Sequence, residues 1–295
     1  MTDNELFYRH SGRFEPAGVA WSFAGMIGAG LALGYLYGVL VWLVPFIYLV
    51  IIGTAGLGLI VGFLSIQLTM KAKTRNNTLI VLGPTLAGLA ALYSAWVGYL
   101  FAASDWQFHL WNPLDIFATA GRIAETGLWS MFGNTPTGLL LYFIWLVEAL
   151  IIVGLGLIMG LAWINSPPFN ENAGAWAERT EALPPAKALS DQTIRQVREQ
   201  LSRGDLSCFG LFEPLEDGDD ASVHTSFLVA WAPGYEHEQY LTISSITITQ
   251  DQEGNVQTTN APIASNMIID PEARAVIDDI LQSDPAGDNG AIAVD

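Results

Sequence analysis

From Pro16 to Met70 no charged residue interrupts the chain, a stretch more than twice the ~20 residues that one helix needs to cross a hydrocarbon core. It predicts two helices joined by a tight turn. Gly34-Tyr35-Leu36-Tyr37-Gly38, Trp42 and Pro45 fall near its middle, where interfacial aromatics and a helix-starting proline mark such a turn. The expected spans are about 17–39 and 44–69. A third apolar run, about 78–103, follows the basic segment Lys71-Ala72-Lys73-Thr74-Arg75, and a fourth covers about 137–164. Between them, in the outer loop 104–136, residues 115–132 predict an amphipathic helix with Ile116, Ala120, Ile123 and Gly127 on one face and Arg122 and Glu125 on another. Trp106, Phe108, Trp111, Trp129 and Phe132 suit it to a headgroup region. A surface-lying connector is expected there in preference to a lid.

The pattern changes after Ile164. Ser166-Pro167-Pro168 ends the fourth span, and 166–188, with Leu183-Pro184-Pro185, reads as a linker. A compact unit is expected over 189–282. Ser190 caps a helix carrying Ile194, Val197 and Leu201, and Gly204 closes it. β-branched or alternating runs at 207–212, 223–231, 240–249 and 256–259 predict strands. Asp270-Pro271-Glu272 then starts a last helix with Ala273, Val276, Ile277, Ile280 and Leu281 as its apolar positions. Small and acidic residues at 283–295 predict a disordered tail. The expected fold class is a membrane all-α four-helix transmembrane bundle plus a C-terminal cytoplasmic α+β domain, with 1–16 as a separate N-terminal segment.

Composition sharpens this division. Of 295 residues 51% are hydrophobic and 14% charged, against about 25% charged in soluble domains. Up to Asn165 there are six basic and seven acidic residues; after it six basic face twenty-two acidic, so nearly all of the net charge of −17 lies in the C-terminal part. That balance excludes a basic nucleic-acid footprint. Arg9 and Arg13 before the first span and Lys71, Lys73 and Arg75 after the second place both termini on the cytoplasmic side of an inner membrane. The first sixteen residues lack the apolar core of a signal peptide. The single cysteine, Cys208, forms no intrachain disulfide, fits a reducing compartment and reads as core.

Glu148 is the most informative residue, because it interrupts the fourth span where an ionised carboxylate is costly and must face protein or water. Helical rise sets it at the depth of Thr54 and of Ser94 or Tyr93. An ion or proton site would use Glu148 with Thr54 and Ser94 as partners; otherwise a protonated Glu148 bonds one neighbouring helix. Gly30, Gly34 and Gly38, then Gly58 and Gly62, then Gly156 and Gly160 recur at spacings of four, which lets helix backbones approach closely within the bundle or between copies. Pro84 falls inside the third span. His224 with Tyr235-Glu236-His237-Glu238 matches no standard zinc spacing, and Glu216-Asp217-Gly218-Asp219-Asp220 lacks the closing glutamate of a calcium loop. Phosphate loops, nucleophile elbows and paired metalloprotease histidines do not occur. These features favour a non-enzymatic, membrane-anchored interaction or sensor module with a cytoplasmic protein partner, in a lipid bilayer, as a possible homo-oligomer and without a cofactor or metal. The competing expectation is a small ion or proton channel or transporter built on Glu148.

Overall fold

A computed structural model describes residues 6–44, 46–127, 135–164, 167–216, 218–251 and 254–282. The chain forms two compact units, one of residues 10–166 and one that joins the first nine residues to 167–295.

The first unit contains four helices long and apolar enough to cross a membrane: α1 (Pro16–Leu43), α2 (Ile47–Lys71), α3 (Asn77–Ala103) and α5 (Leu139–Trp163). A shorter α4 (Pro113–Thr126) precedes α5. Asn76 and Asn112 cap α3 and α4, their side chains accepting from the amides of Leu79 and Leu114 at 3.2 and 3.1 Å. Central to the unit is α3, on which α1, α2 and α5 all pack; α1 and α5 make no extended contact with one another.

The glycine repeats explain this arrangement. A methyl at Gly30, Gly34 or Gly38 would overlap the carbonyl oxygens of Ala87, Ala91 or Ala95 in α3, and one at Gly98 would overlap that of Tyr35. On the other side Gly156 faces the Pro84 carbonyl at 2.8 Å and Gly160 faces Val81 at 2.9 Å from a would-be Cβ. Gly58 and Gly62 receive Leu155 and Met159 of α5. Every one of the seven predicted packing glycines therefore closes a helix pair inside the chain. Buried hydroxyls are satisfied within their own helices: Ser65 donates to Val61 O at 2.7 Å and Thr69 to Ser65 O at 2.9 Å.

The second unit is α+β. Strands β3 (Arg179–Lys187), β4 (Val223–Ala232), β5 (Tyr235–Gln250) and β6 (Val256–Ile269) form one antiparallel sheet in sequence order. Helices α6 (Asp191–Ser202) and α7 (Pro271–Gln282) and a 3-10 turn at Leu206–Leu211 share a core with it, built on Val197, Leu201, Phe209, Phe227, Leu241, Met267 and Ile277. Ser190 and Asp270 cap the helices as expected, the Asp270 carboxylate accepting from the Ala273 amide at 2.7 Å. A two-stranded ribbon, β1 (Phe169–Asn170) with β2 (Ala175–Trp176), stacks Phe169 edge-on to Trp176.

Four expectations are corrected. The linker 166–188 is largely structured, because β1, β2 and β3 all lie in it; Pro184 and Pro185 sit at a bulge in edge strand β3, where a missing N–H breaks no ladder. Residues 207–212 are not a strand: the Asp205 carboxylate accepts from Ser207 N at 2.9 Å and starts a 3-10 turn that buries Cys208 and Phe209. The last strand runs to Ile269, well past Thr259, with register shifts that absorb Pro262. Finally, the N-terminal segment is not separate. Ile268 N donates to Leu6 O at 2.7 Å and Tyr8 N to Asn266 O at 2.9 Å, so residues 6–8 extend the sheet beyond β6. Trp129, Phe132 and the tail 283–295 lie outside the described residues.

Candidate functional site

At the end of the helical unit where α1 stops and α2 begins, the helices surround a cavity of about 320 Å3. Tyr37, Val41 and Trp42 of α1, Val50 of α2, Leu92, Trp96 and Tyr99 of α3, Ile123 of α4, and Leu141, Ile144, Trp145 and Glu148 of α5 line it, with Gly38 and Ala95 as small floor residues. The sequence builds each wall by helical spacing: 37 and 41, 92, 96 and 99, and 141, 144, 145 and 148 each fall on one face of their helix. Because Ile123 belongs to the wall, α4 is more than a surface connector; it packs on α3 and α5 through a face that includes Ile116, Ala120 and Ala124.

The aromatic rings are held edge to face. Trp96 meets Trp145 with centroids 4.9 Å apart at 82°, Trp96 meets Tyr99 at 6.1 Å, and Tyr99 meets Trp42 at 5.9 Å. Each such pair sets the positive edge of one ring against the negative π face of its neighbour.

Glu148 is half-buried on the cavity wall. Tyr37 Oη donates to its Oε1 at 2.6 Å, and Thr54 Oγ1 stands 2.6 Å from the same phenol and 2.8 Å from the Val50 carbonyl. Glu148, Tyr37 and Thr54 thus form a chain with two donor orders, in one of which Thr54 also donates to Val50 O. With Glu148 ionised, Thr54 donates to Tyr37 and Tyr37 to the carboxylate. With Glu148 protonated, the carboxyl donates to Tyr37, Tyr37 to Thr54 and Thr54 to Val50 O. Gain of one proton reverses both hydroxyls.

Of the residues predicted for this site, the structure brings Thr54 and Glu148 together through Tyr37. Ser94 lies elsewhere: its Oγ donates to Ala91 O at 3.1 Å and reaches Gly30 O at 3.4 Å, within the α1–α3 contact. Tyr93 Oη donates to Trp111 O at 2.5 Å and anchors the segment ahead of α4. Sequence reasoning missed Tyr37, which reads as a turn aromatic, and the three tryptophans. The signal that could have found them is the placement of Trp145 three residues before Glu148, on the same helical face.

Elsewhere among the described residues no three His, Cys, Asp or Glu side chains come together as a metal would require. His224 Nδ1 lies 2.9 Å from Ala221 O, and the acidic turn meets Lys187, whose Nζ is 3.7 Å from Glu216 and 3.5 Å from Asp219. Cys208 is fully buried in the core of the second unit. No protein-family model matches this chain, nor does any curated protein or any solved structure.

Proposed function

We propose that this protein is a non-enzymatic membrane sensor: four helices cross an inner membrane with both ends cytoplasmic, the cavity receives a small ligand, and the acidic C-terminal unit engages a protein partner. Membrane insertion is supported by the outward apolar faces of α1, α2 and α5, where Leu36, Leu40, Ile52, Ile60, Leu150 and Ile158 are all exposed. In water these would make an apolar patch far larger than the few hundred Å2 soluble proteins tolerate. The orientation rests on the lysines and arginines that flank the first two spans.

The observation that carries the sensor function is the placement of the Tyr37–Glu148 bond. It links α1 to α5 across the cavity, and these are the two helices whose chains continue directly into the C-terminal unit. Residues 6–8, shortly before α1, bridge to β6 of that unit, and β1 follows α5 within a few residues. A ligand at Glu148 competes with Tyr37 and so acts on the packing of the two helices that lead to both covalent connections. Hydrogen exchange on the full chain in lipid nanodiscs tests this: Glu148→Gln changes protection of the Tyr8 and Ile268 amides. Unchanged protection at both refutes the coupling.

Transport is the second reading, favoured by the cavity itself. Glu148 is the one Asp or Glu within the four spans, and no His occurs in them, so a relay of titratable groups through the unit would need water or hydroxyls alone. Reconstituted protein that carries a proton or ion flux abolished by Glu148→Gln would replace the sensor function with transport.

A further inference from the structure

The chemistry of the cavity wall goes further than its position. We propose that the cavity is a binding site for a monovalent organic cation of the quaternary ammonium type, an inference that rests on the cavity being a ligand site and names its ligand class.

Among the described residues the wall carries one carboxylate, Glu148, and no Lys, Arg or His. An apolar site with a single acid is completed by a single positive charge. The remaining polar groups at that carboxylate are one phenol and one threonine hydroxyl. That set is too small for a calcium or magnesium ion, which takes about six or more oxygens at close range. Tryptophan and tyrosine rings supply what a metal ion does not need and an alkylated ammonium does: Trp42, Trp96, Tyr99 and Trp145 line the space, and aromatic rings of this kind attract a desolvated cation. Val41, Val50, Leu92 and Ile144 offer methyl contacts to N-alkyl groups and none to an anion or a sugar. About 320 Å3 is at the small end of ligand cavities, which run from ~300 to ~1,000 Å3, and suits a compact cation. Such a ligand could come from a choline lipid headgroup or from free solute, and the recognition chemistry is the same.

Equilibrium dialysis of the full chain in phosphatidylglycerol nanodiscs tests the proposal with choline and tetraethylammonium as probes. Saturable binding of about one cation per chain is expected. Loss of the charge in Glu148→Gln weakens it by on the order of tenfold or more, and Trp145→Leu weakens it several-fold. The uncharged choline isostere 3,3-dimethyl-1-butanol does not compete. Tyr37→Phe, which keeps the carboxylate and the ring, retains binding. Repeating the measurement in phosphatidylcholine nanodiscs separates the sources: competition identifies a lipid headgroup, and its absence a free solute. No saturable cation binding, equal competition by the neutral isostere, or loss in Tyr37→Phe as large as in Glu148→Gln each overturns the assignment. Hydrogen exchange on the same samples keeps the two proposals apart. Binding without a change at Tyr8 and Ile268 removes the sensor and leaves the cation site, whereas a change in Glu148→Gln without cation binding does the reverse.

Discussion

Gly34→Ala is the sharpest test of how the helical unit is held together. A Cβ at this position would overlap both the Ala91 carbonyl oxygen and Ser94 Oγ, and the Ala91 carbonyl carbon would stand at 2.7 Å. Backbone cannot yield locally in a helix, so α1 and α3 must part. Their separation also loosens the neighbouring contacts at Gly30, Gly38 and Gly98, which press on Ala87, Ala95 and Tyr35. Overpacking by one methylene-sized group in a filled core costs typically about 1–3 kcal/mol, and here the atoms met are main chain, which favours the upper end. The same substitution at Gly28, where nothing lies within 4 Å, meets open space. There alanine should stabilise the helix by up to ~1 kcal/mol through propensity alone. The two variants carry the same change six residues apart on the same helix and should differ by roughly 3–4 kcal/mol in stability. Reversible unfolding in bicelles, with monomer content followed by light scattering, measures both. Equal stability of Gly34→Ala and Gly28→Ala would refute the close α1–α3 approach. A shift in oligomeric state with unchanged stability would move the glycine face to a contact between copies.

Two further outcomes follow from the units separately. Cys208 is wholly buried, and its thiol is pushed up to about 11, chiefly by burial, so the folded protein should resist alkylation at pH 8 and react only after denaturation; rapid labelling of the native chain would contradict that core position. His10 is held below its ordinary 6.5, first by burial and also by the nearby Arg75, with a hydrogen bond to the Ile164 backbone opposing the shift. Because the folded state prefers the neutral ring, the stability it contributes is present above pH 6.5 and is lost as pH falls below that value. A His10→Gln variant should flatten the decline below pH 6.5, and an identical pH profile in both proteins would show that His10 is not its source.

The spans were legible because a bilayer-length run without charge has few alternatives, and Asp270-Pro271 was legible because the cap and the fixed proline φ act locally. What escaped detection depended on partners far away. Leu6–Tyr8 has no strand signature of its own and becomes one only beside Met267. Pro184 and Pro185 argue against a strand until the bulge and the edge position are known. Leu206–Leu211 is too short for periodicity to separate a strand from a tight helical turn, and the Asp205 cap decides it. In the candidate site, depth along a helix placed Thr54 beside Glu148, but depth says nothing about the direction a side chain leaves the helix. Ser94 shares the depth and points into the α1–α3 contact.

Closing of the sheet by residues 6–8 bears on how the protein is made. These residues are synthesised roughly 260 positions before Asn266 and Ile268, the residues they pair with; at about 5–20 residues per second the delay is on the order of tens of seconds. The arm therefore waits through synthesis of all four apolar helices before its site exists. In the proposed topology it finds that site only if the number of crossings is even, since one failed or extra insertion would leave arm and sheet on opposite faces of the bilayer. Such a chain would present an open β6 edge, and unpaired strand edges invite association and proteolysis. The pairing of Tyr8 with Asn266 would then act as a checkpoint on insertion, reporting correct assembly of the membrane part through the completeness of the other.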